Sequence, residues 1–291
     1  MLLVELRNSK LDTLNNSDFV ITLVPTPIGN LEDISLRALD ALGDAELFFC
    51  EDTRVTKRLL NLLSSKYNRT FPCDTFQSFH HHNEQKVLKT LDINLLKEKN
   101  VVYVSDAGMP CVSDPGSTLV EFCIKNEIPY DVLPGANAVL TAFAMSGFEA
   151  TEFSFFGFLP HQGKERREKL LKVLSSEFLP IFYESPHRLF KLLEELAAEE
   201  PDRIVFLAKE LTKLYQKVYK KTALELFEEF KNITIKGEWV VVLQNKTTTG
   251  ANLELSDISE LDLPPKQKAK LISKLTGRKT KEVYQEILAK I

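Results

Sequence analysis

The stretch V-V-Y-V-S-D-A-G-M-P-C-V-S-D-P-G, Val101 to Gly116, joins an apolar run to a loop that cannot continue it. Val101–Val104 reads as a buried strand, and the next twelve positions hold two Asp, two Gly and two Pro, so the backbone turns sharply where the strand ends. In an open α/β sheet, ligands bind at that place. Two more loops have the same setting: P-T-P-I-G-N, Pro25–Asn30, after Ile21–Val24, and P-G-A-N, Pro134–Asn137, after Val132 and Leu133. One Gly/Pro turn is an ordinary connector. Three such turns at strand ends, one of them long for a surface connection, point to a shared cleft.

Outward from these loops, the first half alternates β-rich and amphipathic runs. Phe19–Val24 reads as a strand, Asp33–Leu42 as a helix, Glu46–Cys50 as a strand and Thr53–Leu63 as a helix. A longer helix is expected over Asn83–Lys99, a strand over Val101–Ser105, a helix opened by proline over Pro115–Asn126, a strand over Tyr130–Leu133, and a helix from Ala138 to about Ser146. This rhythm predicts a largely parallel sheet. From Phe153 the signals mix: strands at F-S-F-F-G-F-L-P, Pro180–Tyr183, Arg203–Leu207 and Trp239–Leu243, helices at Lys164–Leu174, His187–Ala198 and Ala223–Phe230, and a hairpin around Tyr215–Lys221. A mixed sheet is expected there. Lys246–Leu263 reads as a linker, and Pro265–Ile291 as two short helices broken at Gly277. The expected organisation is an α/β protein with an N-terminal extension over 1–18, α/β domains over 19–147 and 148–245, and a linker with a basic helical tail over 246–291.

At 291 residues, 44% hydrophobic and 27% charged, the chain can bury two ordinary cores. No apolar run approaches the ~20 residues that cross a bilayer. The opening M-L-L-V-E-L-R-N-S-K has Glu5 inside its short apolar run and no basic n-region, so it does not read as a signal peptide, and a cytoplasmic location is expected. Cys50, Cys73, Cys111 and Cys123 form no C-x-x-C pair, and the consecutive His80, His81 and His82 lack spaced partners, so no disulfide framework and no metal site are expected. The net charge of −4 excludes bulk attraction to nucleic acid, but Lys266–Lys281 carries seven cations and no acid. Lys164–Lys172 is a second basic-rich run; each run is either a solvated helix face or a phosphate-contacting surface.

The chain lacks G-x-G-x-x-G and G-x-x-x-x-G-K-[ST], the loops that cradle nucleotide phosphates. Loops of Pro, Ala and Gly with a few carboxylates suit a ligand with an adenosine and a positive centre, such as S-adenosylmethionine. The motifs V-P-T-P-I-G-N-L-E-D-I-S-L-R-A-L, C-E-D-T-R, H-H-N-E, V-S-D-A-G-M-P-C-V-S-D-P-G, L-P-G-A-N-A, G-F-L-P, F-Y-E-S-P-H-R-L, A-K-E-L-T-K and K-G-E-W-V run in order from Val24 to Val241. Together they resemble the tetrapyrrole methylase superfamily, most closely its ribosomal branch, the small-subunit (16S) rRNA cytidine 2′-O-methyltransferases.

The resemblance implies a two-domain tetrapyrrole-methylase-like fold, a homodimer, and S-adenosylmethionine bound between the domains. It implies donor contacts from Pro27 and Ile28, from Asp106, Ala107 and Gly108, from Pro134, Gly135 and Ala136, and from Tyr183, Ala208 and Gly237. L-P-G-A-N-A replaces the usual L-P-G-P-[CS]-A, and Lys209 stands where Arg is commoner. Both departures bear on the adenosine pocket. The implied substrate is 16S rRNA or the small ribosomal subunit.

Methyl transfer to a ribose hydroxyl needs alignment, exclusion of water and a proton acceptor. Glu51, Asp52, His82, Glu84, Glu184 and Lys209 are the candidates, with Glu51, Asp52, Glu184 and Lys209 placed first. For substrate, the candidates are Arg54, His82, Asn83, Glu84, Lys266 and Lys270, with Arg54 on a phosphate and Asp52 either orienting it or capping a helix. Tyr183 and Glu184 carry more weight than His187 and Arg188, which fit a helix start. Phe153, Phe155, Phe156 and Phe158 fit a strand core better than a base-stacking surface. Two rivals stand beside this reading. One is a precorrin- or diphthine-type methyltransferase of the same superfamily, which gives no reason for the basic tail. The other is a catalytically silent ribosome-binding protein, which would hold RNA without the donor.

Overall fold

The computed structural model describes residues 21–246, 258 and 261–289. The expected N-terminal extension and most of the expected linker lie outside the described residues. The chain forms two compact units, one up to Asn245 and one from Lys246 onward.

The first unit opens with β1 (Ile21–Leu23), α1 (Leu36–Gly43), β2 (Leu47–Cys50), α2 (Thr53–Tyr67) and β3 (Phe76–Ser78). It continues with α3 (Glu84–Thr90), α4 (Ile93–Leu96), β4 (Val101–Val104), α5 (Ser117–Lys125), β5 (Tyr130–Val132) and α6 (Ala138–Ser146). The five strands make one parallel sheet in the order β3-β2-β4-β1-β5. Alternation along the strands sends Phe48, Cys50, Val102 and Val104 to the face covered by Leu39, Leu42, Leu60 and Leu63. Phe49, Val101 and Tyr103 go to the other face, against Leu119, Cys123 and Val87. With helices on both faces, the strands β2 and β4 are apolar throughout rather than half polar.

Strand β3 escapes sequence reading because F-Q-S follows Pro72 and Asp74 and is only three residues long. The helix expected over Asn83–Lys99 is two helices. Leu91 is extended, with ψ at 128°, and the Asp92 carboxylate accepts from the Asn94 amide at 2.9 Å to start the second. The helix expected from Pro115 starts at Ser117, because Gly116, at φ +127°, is its N-cap.

After Ser146 come β6 (Phe153–Phe158), α7 (Gly163–Leu174), β7 (Leu179–Glu184), α8 (Pro186–Glu199), β8 (Ile204–Lys209), β9 (Lys217–Thr222), α9 (Ala223–Phe230) and β10 (Trp239–Leu243). They build a mixed sheet in the order β6-β7-β10-β8-β9, in which only β6 and β7 run parallel. One face packs Phe182, Leu207 and Val241 against Leu170, Leu189, Leu193 and Leu226 of α7, α8 and α9. The opposite face packs Ile181, Phe206, Ala208 and Val240 against Val139 and Ala142 of α6, with Ile28 and Val112 beside them. The second sheet therefore turns that face toward the loops of the first.

The basic run at Lys164–Lys172 is not a uniform phosphate-contacting surface. Arg166 points inward and is 1% exposed, while Lys164 and Arg167 pair with Glu168 and Glu199. In the second unit, α10 (Pro265–Thr276) ends at Gly277 in the left-handed region and α11 (Thr280–Leu288) follows. Lys266 and Lys270 are exposed on α10.

Candidate active site

The loops after β1 and β4 are stitched together. Thr26 and Gly108 exchange both backbone hydrogen bonds at 3.0 Å, and the Thr26 hydroxyl donates to the Ser105 carbonyl at 3.4 Å. Gly108 is at φ +86°, and a Cβ there would lie 3.1 Å from the Ile28 methyl, so a larger residue would strain the loop and press on Ile28. In the third loop, Gly135 lies against the Pro25 ring, and the Ala136 carbonyl faces Gly108. From the second sheet, the loop after β8 closes on the first loop: the Thr212 hydroxyl accepts from the Asn30 amide at 3.0 Å.

These loops wall a cavity of about 330 Å³, within the range of small-molecule sites. Of the expected donor contacts, Ile28, Ala107, Gly108, Tyr183 and Ala208 line it. Pro27, Asp106, Pro134, Gly135 and Ala136 sit in the same loops but outside its lining. Gly237 precedes the lining residues Glu238 and Trp239; at φ +84° it sits where a Cβ would fall 2.6 Å from the Glu210 side chain. Sequence reading passed over Met109, Val112, Asp114 and Trp239 on the cavity wall. The repeated S-D of the central loop was the available signal for Asp114, and K-G-E-W-V for Trp239.

Asp114 is the cavity's half-buried acid. Burial pushes its carboxyl up to about 6, aided by the negative charges of Glu51 and Asp106 and opposed by Ser105 and His81. Its backbone is held on both sides. Ser113 is at φ +67°, two residues after Cys111 at φ +68°, and the Pro115 carbonyl accepts from the buried Tyr103 hydroxyl at 2.7 Å. Such strain persists only where the surroundings enforce it. Tyr183 stands across the cavity between Phe155 and Phe158, its ring 5.1 and 5.3 Å from theirs, with its hydroxyl pushed up to about 12 by burial, then by Asp114 and Glu238. Phe158 is thus a wall of the cavity rather than strand core.

The other acid–base candidates have different settings. Asp52 caps α2 and holds Arg54 through two hydrogen bonds, at 3.1 and 2.6 Å, which lower its carboxyl to about 2. It both caps the helix and aims the exposed Arg54. Glu184 is among the lining residues, but its carboxylate is buried between Arg166 at 3.1 Å and Arg188 at 2.9 Å and accepts from the Ser185 amide. Glu51 accepts from the Asp106 amide at 3.4 Å, outside the cavity lining. Lys209 extends its ammonium over the Trp239 ring, 5.9 Å from the centroid. Asn83 ties its own loop, accepting from the His80 amide and donating to the Ser78 carbonyl. Glu84 accepts from Thr118 at 2.8 Å, and His82 is exposed.

One carboxylate outside the lining joins the site's parts. The Asp106 side chain accepts from the Asp52 amide at 3.1 Å, tying the central loop to the start of α2. Asp106→Ala is expected to weaken donor binding about fivefold, the worth of roughly one hydrogen bond near 1 kcal/mol. Calorimetry with S-adenosylmethionine measures this, and an unchanged affinity would remove the side chain from the site.

Comparison with known proteins adds to this geometry. The family described as Tetrapyrrole (Corrin/Porphyrin) Methylases matches residues 20–226. A "Ribosomal RNA small subunit methyltransferase I" from Campylobacter fetus subsp. fetus is 46% identical over 270 residues, covering 92% of this chain and 100% of the relative. Its namesake from Helicobacter pylori is 46% identical over 278 residues, covering 91% and 96%. Among solved structures, a diphthine synthase superposes with a TM-score of 0.57 at 15% identity, over 78% of this chain and 90% of that one. Uroporphyrin-III C-methyl transferase from Thermus thermophilus, complexed with S-adenosyl homocysteine, gives 0.51 at 16% identity, over 76% and 96%. The structural likenesses establish the fold, and the sequence matches establish more: this chain belongs to the tetrapyrrole methylases and, within them, to the ribosomal RNA small subunit methyltransferase I family.

Proposed function

We propose that this protein methylates the 2′-hydroxyl of a cytidine in small-subunit (16S) ribosomal RNA, using S-adenosylmethionine as the donor. The observation that carries the reading is 46% identity to a ribosomal RNA small subunit methyltransferase I over 92% of the chain. The cavity supports the donor. Its wall is largely apolar, the small residues Ala107 and Gly108 let the central loop approach closely, and its half-buried acid, Asp114, offers a counter-charge to a sulfonium. Ile28, Gly108, Tyr183 and Ala208 would hold the donor, which when bound supplies an electrophilic methyl group.

The chain's own part is alignment, dehydration and proton transfer. Phe158, Tyr183 and Trp239 exclude water from one wall. We assign the proton to Asp114, since Asp52 and Glu184 are each held by arginines and Glu51 lies outside the cavity lining. Asp114 would accept the proton of the ribose hydroxyl that takes the methyl group the bound donor would supply. Arg54, aimed by Asp52, serves a phosphate at the mouth.

The rest of the reading is a cytoplasmic homodimer that needs no metal, with the two sheets as two domains meeting near residue 147 and with Lys266 and Lys270 on the RNA. Light scattering measures the dimer. The direct test incubates the protein and labelled donor, with and without a chelator, with small subunits from cells lacking the modification. A 2′-O-methylcytidine at one site, formed equally with chelator, is the expected result. Donor binding without transfer to RNA would overturn it.

A further inference from the structure

A second groove, of about 320 Å³, lies beside α2 and away from the cavity lining. One wall is the helix stripe Lys57, Leu60, Asn61 and Ser64, spaced i, i+3, i+4 and i+7, so that all four share a face. The other wall is the segment that enters β3, with the half-buried rings of Phe71 and Phe76. Lys57 places its ammonium 4.7 Å from the centre of the Phe76 ring, whose far face stacks on Phe48 at 5.0 Å.

We propose that this groove binds a nucleotide of single-stranded RNA next to the one being methylated, with Lys57 swinging from the Phe76 ring onto its phosphate and the base taking the ring face that Lys57 leaves. The inference rests on the ribosomal RNA reading and adds a substrate subsite to it.

Charge supports the occupant. The chain carries a net −4, yet α2 holds Arg54, Lys57, Arg58 and Lys66 and no acid. Of these, Lys66 pairs with Glu32 and Arg54 with Asp52, while Lys57 and Arg58 face no carboxylate within ion-pair distance among the described residues. Position supports it as well. The helix begins at Asp52, whose amide is bonded to Asp106 in the loop that walls the cavity. Arg54 and Arg58 are about one turn apart on its exposed side, and Asn61 lies ~10 Å beyond Arg54 along the axis. A strand leaving the cavity mouth past Arg54 therefore reaches the groove within a few nucleotides. The Asn61 amide, the Ser64 hydroxyl and the Asp74 carboxylate supply donors and acceptors for a base edge, and aromatic walls with a nearby cation are how proteins hold unpaired bases.

Two full-length variants test the proposal, with anisotropy of a short fluorescein-labelled single-stranded RNA of mixed sequence and methylation of unmodified small subunits as readouts. Lys57→Ala is expected to lower RNA affinity about eightfold near 50 mM salt and to flatten the log–log salt dependence by about 0.7, the signature of one lost phosphate contact. Ser64→Trp fills the groove without changing charge and is expected to cost about tenfold in affinity, to raise the KM for subunits, and to leave the salt slope and donor binding by calorimetry unchanged. Full RNA affinity in Ser64→Trp overturns the groove, even if Lys57→Ala weakens binding. Lost subunit methylation with RNA affinity intact assigns the groove to a ribosomal protein instead and also overturns the proposal. Failure of the wild-type chain to methylate any subunit removes the underlying function, which keeps the two failures apart.

Discussion

Replacing Arg166 with methionine is expected to lower the unfolding free energy by about 3–5 kcal/mol, read as a drop in the urea midpoint with an unchanged slope. The reason is the company this guanidinium keeps. It is 1% exposed, and it donates to Glu184 at 3.1 Å, to Glu195 at 2.8–3.1 Å and to the Pro160 carbonyl at 3.2 Å. Removing it leaves the equally buried Glu184 with half its counter-charge. Glu184 ends β7 beside the cavity, where its carboxylate also fixes the Ser185 amide at 2.8 Å, so donor affinity is expected to fall with stability. Arg166→Met combined with Glu184→Leu should recover part of the loss, because an apolar pair needs no desolvation of charge. A single-variant cost under about 1 kcal/mol would show that Arg188 alone satisfies Glu184.

Asp114→Asn is expected to reduce kcat by a factor of about 10²–10⁴ while donor affinity falls far less, because it removes a proton acceptor and keeps the shape of the wall. The pH profile adds a second readout. The wild-type rate should rise with pH through about 6, where the carboxyl ionises, and the asparagine variant should lose that limb. Stability moves the opposite way. Because burial, Glu51 and Asp106 raise the carboxyl in the folded chain, the folded state holds a proton that the unfolded chain has released between pH 4 and 6. This favourable contribution is complete below pH 4 and is lost as pH climbs through about 6, so at pH 7, with the shift discounted for the solvent that screens a half-exposed group, Asp114→Asn should be the more stable protein by on the order of 1 kcal/mol. A variant that keeps both its rate and its acidic limb would return the proton to another group.

Much of the architecture was legible because strand and helix periods are set by local chemistry. The alternation that sends Phe49, Val101 and Tyr103 to one face and Phe48, Val102 and Val104 to the other is written in apolar runs too short for helices. The order of those strands was not legible, because Val101 pairs with Ile21 and Leu47 by tertiary register and not by any local signal. The same limit applies at the site. The three loops could be read as one cleft because Gly and Pro mark sharp turns, and Ile28, Ala107 and Gly108 do line one cavity. What could not be read was burial. Arg166 sits in a run that looks solvated, and Glu184 looks like an available carboxylate until its two arginines are seen. The Asp114 carboxyl is raised first by burial and then by Glu51 and Asp106, 63 and eight residues away in the chain.

The strand order has a consequence for how the protein is made. Ile21 pairs with Val101 on one side and with Tyr130 on the other, so β1 has no partner in the sheet until the chain has grown by 80 residues or more. At about 5–20 residues per second, the ribosome takes roughly 4–16 s to supply β4, during which the apolar edge of Ile21 and Leu23 stays unprotected. In the second sheet, β8 and β9 pair antiparallel as neighbours in sequence and can close as soon as both have emerged. Among the described strands, the first to leave the ribosome therefore waits longest for a partner, and the Pro25–Asn30 loop that follows it is stitched to Gly108 only after the central loop has been translated. Until then that edge is open to pairing elsewhere.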